Sequence, residues 1–172
     1  KAVDRAWEVI RNAKRPVILA GNGCIRRRAS KQLRLFCEAT GIGVISTFMA
    51  KGCVDMDSDY CLYTIGLQAK DYSFLAIAAA DVIITLGFDM VEYHPSLWNA
   101  DGNKTIVHAD FTPAEIDEAY HPEYEIVGDL ANLSLIDISE PTRPLYISYA
   151  VFCLINIKQK LFLILISDPT IP

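Results

Sequence analysis

Val17-Ile18-Leu19-Ala20 is an unbroken apolar run that ends on Gly21-Asn22-Gly23. No other feature limits the available folds as strongly. Four successive apolar residues suit a strand covered on both faces, as in parallel sheets enclosed by helices. A Gly-x-Gly turn then redirects the chain sharply. Beyond it Ala29, Leu33, Phe36, Cys37 and Thr40 recur at helical spacing until Gly41. Val44 to Thr47 is a second apolar run.

The same alternation continues. Ala69, Tyr72, Ala76, Ala79 and Ala80 predict a helix with a small-residue face, and Val82 to Leu86 a buried strand ending at Gly87. Thr105 to Ala109 and Ile126-Val127 are further strands, the latter leading into Gly128-Asp129. At the start, Val3, Ala6, Trp7, Ile10 and Ala13 share a helical face that Pro16 terminates. Thr112-Pro113-Ala114-Glu115 reads as a helix start, with Thr at the N-cap, Pro at N1 and Glu closing a capping box. Five strands alternating with helices predict an α/β domain, a mostly parallel sheet flanked by helices. Ligands of such folds sit beyond the carboxyl ends of the strands. Gly21 to Gly23, Thr47 to Met49, Gly87 to Asp89, Asp110 to Thr112 and Gly128-Asp129 are therefore expected along one edge of the sheet.

Composition excludes several functions. The formal net charge is −5, and nucleic-acid binding calls for a basic surface. The run Arg26-Arg27-Arg28 is read as opening a helix, and as a solvated face or inter-domain contact rather than a phosphate clamp. Cys24, Cys37, Cys53, Cys61 and Cys153 form no C-x-x-C pair, which with the odd count predicts reduced thiols in a cytoplasmic protein. His94, His108 and His121 fall at no ligand-like spacing, so no metal site is expected. Asp55, Asp57 and Asp59 alternate like a calcium loop but lack its glycine and terminal glutamate. Ser46 and Ser96 lack a nucleophile-elbow context.

The character changes near Leu135. The run from Leu145 to Ile157 is apolar but too short for a bilayer span of about twenty residues. No membrane partner is expected, and residues 136–172 are read as a non-native or unassigned tail after a domain at 1–135.

Taken in order, "AKRPVILAGNG", "GIGVISTFMAKG", "ADVIITLGFD", "IVHADFTPAEID" and "EIVGD" resemble the central domain of thiamine-diphosphate-dependent enzymes of the acetolactate synthase group. The resemblance spans roughly Ala2 to Leu133. It implies a Rossmann-like, six-stranded parallel sheet between two thiamine-binding domains. In flavin-containing members, by this resemblance, the glycine turn (Gly21, Asn22, Gly23) contacts the pyrophosphate of FAD, and Thr47, Phe48 and Met49 face the flavin. Asp110, Phe111, Gly128 and Asp129 would line the adenosine end, and Gly87 and Phe88 the end of the third motif. The residues alone leave simpler readings open: a plain strand–helix turn at Gly21, and capping roles for Asp110 and Asp129.

One departure weighs against FAD. Flavin-binding relatives continue the third motif as Gly-Ala-Arg-Phe-Asp-Asp-Arg. Here "GFDMVEYHPSLWN" lacks both arginines and adds Glu92, which resembles the flavin-free, catabolic type. The glutamate that activates the thiamine ring and the Gly-Asp-Gly…Asn motif that holds Mg²⁺ and thiamine diphosphate belong to the flanking domains of the family. Gly128-Asp129-Leu130 is not that motif. No catalytic residue is therefore assigned, and this chain alone is expected to be inactive. The intact enzyme would join two pyruvates with loss of CO₂ as a homodimer or homotetramer. The alternatives are a related thiamine-dependent decarboxylase or a stand-alone module binding ADP, NAD or FAD.

Overall fold

The computed structural model describes residues 2–66 and 72–130 of the chain. Ala69 of the expected small-residue helix and the segment 136–172 lie outside the described residues. In chain order the elements are α1 (Ala2–Asn12), β1 (Pro16–Ala20), α2 (Gly23–Arg26), α3 (Ser30–Thr40), β2 (Gly43–Thr47), β3 (Cys61–Ile65), α4 (Phe74–Ala79), β4 (Val82–Leu86), β5 (Thr105–Asp110) and β6 (Tyr124–Val127). Single 3₁₀ turns occupy Phe48–Ala50 and Pro95–Leu97.

The six strands form one sheet in the order β3-β2-β1-β4-β5-β6, and every pairing is parallel. The apolar runs explain why. All five residues of β1 and of β2 are buried, because alternate side chains of a strand enter opposite layers. Ile18 and Ala20 join Ala6, Ile10, Leu33 and Cys37 on the face covered by α1 and α3. Val17 and Leu19 join Ala76, Ile77 and Ala80 on the face covered by α4. Trp7 of α1 meets Phe36 of α3 edge to face, with ring centroids 6.3 Å apart. α3 ends where expected, at Gly41 with φ 70°.

Three local expectations fail for identifiable reasons. β3 has no counterpart among the strands read from periodicity. It is an edge strand with a register irregularity against β2 and Tyr63 at φ 65°, so its alternation is broken. Arg26-Arg27-Arg28 does not open a long helix. Arg26 closes the four-residue α2, and Arg28 takes a left-handed φ of 55° before α3 begins.

The third failure is the helix at Thr112. No helix forms there, and the chain runs irregularly to an isolated bridge between Asp117 and Tyr120. Tertiary contacts override the capping signal. The Thr112 carbonyl lies 3.1 Å from Nε2 of His108. Tyr120 is buried among Phe88, Trp98 and the His108 ring. Its hydroxyl lies 2.6 Å from Thr85 Oγ1 and 2.9 Å from His108 Nδ1. A helix from Thr112 would forgo this buried polar cluster, and buried polar groups require partners.

At the amino edge of the sheet Asp81 fixes the entry to β1. Its carboxylate accepts from the Lys14 N–H at 2.7 Å and the Arg15 N–H at 2.9 Å. Asp81→Ala should lower stability by about 1–2 kcal/mol, since exposed charge-assisted bonds contribute at the modest end of their range. A urea midpoint unchanged from that of the parent chain would show that these bonds add nothing.

Cys24, Cys37, Cys53 and Cys61 are buried, free thiols on the α1/α3 side. Burial pushes the Cys53 thiol up to about 11 and raises those of Cys24, Cys37 and Cys61. They therefore stay protonated near neutral pH and behave as small core hydrophobes.

Candidate functional site

The strand order reverses direction between β1 and β4, and crevices in such sheets open at that switch point. Here the crevice is a cleft of about 740 Å³ at the carboxyl ends of the strands. Asn22 and Gly23 from the β1 turn, Phe48 and Met49 from the β2 end, and Gly87 and Phe88 from the β4 end line it. Asp110 and Phe111 after β5 complete that set, with His108 and Tyr120 among the remaining lining residues. Eight of the twelve residues proposed from sequence thus meet around one cleft. Gly21 and Thr47 lie behind its wall, fully or nearly fully buried. Gly128 and Asp129 do not line it; the Gly128 N–H instead donates to the Asp110 carbonyl at 2.8 Å.

The glycines at the switch point let two loops cross at very short range. A Cβ on Gly21 would stand 2.4 Å from the Gly87 carbonyl oxygen and 2.5 Å from Phe88 Cα. A Cβ on Gly87 would stand 2.7 Å from Gly23 Cα. The close approach in this structure is therefore backbone against backbone.

The donors of the turn are engaged in the same way. The Gly21 N–H donates to the Leu86 carbonyl at 2.9 Å and the Gly23 N–H to the Gly87 carbonyl at 2.8 Å. The Cys24 and Ile25 amides bond back to the Gly21 and Asn22 carbonyls at 3.0 Å. The Asn22 N–H donates to Glu92, 3.0 Å from Oε1 and 3.1 Å from Oε2. The same carboxylate accepts a short bond from the Thr47 hydroxyl and a 3.4 Å bond from the Asp89 N–H. From Gly21 to Ile25 every backbone N–H thus has an acceptor within the protein. This arrangement leaves the turn no free amide for the pyrophosphate of FAD, the Asn22 N–H beside the cleft being held by a carboxylate.

Two other groups escape sequence reading. Arg27 is exposed, as a solvated face requires, but its guanidinium also stacks 3.8 Å from the centroid of Phe111 in a cation–π contact. With Arg26 it supplies two positive groups to a lining that holds four carboxyl groups, Asp89, Glu92, Asp110 and Glu115. Asp110 is buried, and its Oδ1 accepts from the Phe111 N–H at 2.6 Å. Burial raises its pKa, opposed by that amide and by the positive charge of Arg27, and reinforced by Asp89. His108, Tyr120 and Thr85 form the polar floor, and burial holds the Tyr120 phenol protonated, well above its ordinary range. No periodicity or motif marks Tyr120; only its aromatic character could have suggested it.

Among the described residues no cluster of His, Cys, Asp or Glu is arranged to hold a metal ion. No helix among them is long and apolar enough to cross a membrane.

Comparison with known proteins agrees with this architecture. Residues 3–136 match the family described as thiamine pyrophosphate enzyme, central domain. The chain is 36% identical over 130 residues to an acetolactate synthase of Bacillus subtilis, covering 75% of this chain and 23% of that protein. It is 33% identical over 129 residues to a glyoxylate carboligase of Escherichia coli O157:H7, covering 74% of this chain and 22% of the relative. It is 34% identical over 133 residues to an acetolactate synthase of Mycobacterium leprae, covering 76% of this chain and 21% of the relative. The chain thus spans less than a quarter of the length of these relatives. The match over most of the chain, joined to a six-stranded parallel sheet with its cleft at the β1/β4 switch point, establishes that this chain belongs to the thiamine pyrophosphate enzyme central-domain family.

Proposed function

We propose that this chain is the central domain of an acetolactate-synthase-like thiamine-diphosphate enzyme. In that enzyme two pyruvates and a proton become acetolactate and CO₂: one carbon–carboxylate bond breaks and one carbon–carbon bond forms. The observation that carries this reading is the 36% identity to an acetolactate synthase across 130 residues. We assign thiamine diphosphate and Mg²⁺ to the other domains of the intact enzyme, where they supply the carbanion chemistry. The work of this domain is positional. Its rim exposes Phe48, Met49 and Phe111, at 57%, 51% and 43% of their surface. Apolar side chains left open beside a cleft suit burial against neighbouring domains, which supports the two thiamine-binding domains as partners. A homodimer or homotetramer is the assembly proposed for the intact enzyme. The four buried free thiols support a cytoplasmic setting.

Pyruvate turnover tests this reading. The 172-residue chain, given pyruvate, thiamine diphosphate and Mg²⁺, should release no CO₂. The longer polypeptide encoded around it should release CO₂ and form acetolactate. Turnover by the chain alone, flanking sequence without thiamine-binding domains, or acetaldehyde as the sole product would overturn the proposal, the last in favour of a decarboxylase.

A further inference from the structure

We propose that Glu92 is the residue that sets what this cleft accepts, by holding its own carboxylate on the Asn22 amide where a pyrophosphate-bearing ligand would otherwise place an oxygen. The contact joins residues seventy positions apart in the chain. It involves both carboxylate oxygens, the Asn22 N–H, the Thr47 hydroxyl and the Asp89 N–H. These donors come from the ends of β1, β2 and β4, so one side chain ties together the three segments that meet at the switch point.

Two consequences follow. A ligand phosphate must displace Glu92 to reach Asn22, and must then lie beside a charge of its own sign. It also meets a lining in which Asp89, Asp110 and Glu115 outnumber Arg26 and Arg27 even without Glu92. Like charges at hydrogen-bonding distance repel, and they do so more strongly in a half-buried cleft than in water. Uncharged groups face no such penalty. The cleft therefore discriminates by charge, against ADP, FAD and inorganic pyrophosphate and not against a neutral nucleoside. This rests on the cleft belonging to a central domain of the family. It concerns binding by the described residues, so pyruvate turnover by the intact enzyme stands or falls separately.

Calorimetric titration of the whole chain tests it with ADP, inorganic pyrophosphate and adenosine as probes. Glu92→Ala removes the carboxylate. Glu92→Gln keeps its size and an acceptor for Asn22 and Thr47, which preserves the fold if the alanine variant does not fold. Affinity for ADP and pyrophosphate should rise about tenfold or more in either variant, on the scale of one charge-assisted contact. Adenosine binding, or its absence, should be unchanged. Tight ADP binding by the parent chain would overturn the proposal. So would a Glu92→Gln variant with no gain for ADP, or an equal gain for adenosine, which would mark the effect as general loosening.

Discussion

Gly87→Ala should lower the unfolding free energy by about 2–5 kcal/mol, a large part of what a domain of this size holds in reserve. Two costs combine. Gly87 has φ 57°, and a left-handed backbone costs a residue with a Cβ about 1–2 kcal/mol. The new methyl group would also stand 2.7 Å from Gly23 Cα and from the Cys24 nitrogen. Both are backbone atoms held by the Gly23 N–H bond to Gly87, so a rotamer change cannot relieve the clash. Overpacking of this kind costs about 1–3 kcal/mol. Gly102 provides the control, with φ 59° and nothing within 4 Å of an added Cβ. Gly102→Ala should show the backbone cost alone, about 1–2 kcal/mol. Equal shifts of the two variants in urea denaturation would mean that the loops do not cross as closely as described. Gly21→Ala has no left-handed φ to contend with, yet it should also be severe, because its Cβ would fall 2.4 Å from the Gly87 oxygen.

Removing the side chain of Tyr120 should be comparably damaging. Tyr120→Ala is expected to cost about 3–5 kcal/mol, as for other large-to-small changes of buried aromatic residues. The ring fills the space between Phe88, Trp98 and His108, at centroid distances of 6.0 to 6.2 Å. Tyr120→Phe separates the polar part from the packing part. It retains the ring and leaves Thr85 Oγ1 and His108 Nδ1 without the phenolic partner, for a loss of about 1–3 kcal/mol. Thermal melting ranks the variants, and the fluorescence of Trp98, which meets Tyr120 edge to face, reports whether the floor of the cleft has rearranged. A phenylalanine variant as stable as its parent would show that the hydroxyl network is not a net stabiliser. An alanine variant of near-parental stability would contradict the burial of this ring altogether.

The same tyrosine explains where sequence reading stops. Thr112-Pro113-Ala114-Glu115 carries every local mark of a helix start, and local marks act over one turn. The choice was made instead by a phenol eight residues beyond Thr112 and by a threonine thirty-five positions before that phenol. Helix nucleation is costly, and a single capping box does not outweigh a satisfied buried cluster. β3 was lost for a related reason. Its irregular pairing and the left-handed Tyr63 break the period-two signal, and an edge strand takes its conformation from its neighbour.

By itself the sequence determined the layered architecture. Unbroken apolar runs require cover on both faces, and helical periodicity between them supplies it, so β1, β2, β4, β5 and the helices α1, α3 and α4 were legible from residues close in the chain. It also determined that glycines at the ends of β1 and β4 would stand at one edge, because parallel strands place all their carboxyl ends together. What those glycines do was decided only by tertiary structure. Gly21, Gly23 and Gly87 read as room for a phosphate, yet in the folded chain they make room for one another. Glu92 read as one negative charge too many, yet it is the acceptor that the Asn22 amide and the Thr47 hydroxyl use. Arg27 read as a solvated cation, and it is exposed, but it also stacks on Phe111. Each of these outcomes depends on which groups from distant segments come within 3–4 Å of each other. Side-chain identity fixes what a group can donate, accept or repel, and only the packing of the loops at the switch point fixes which partner it meets.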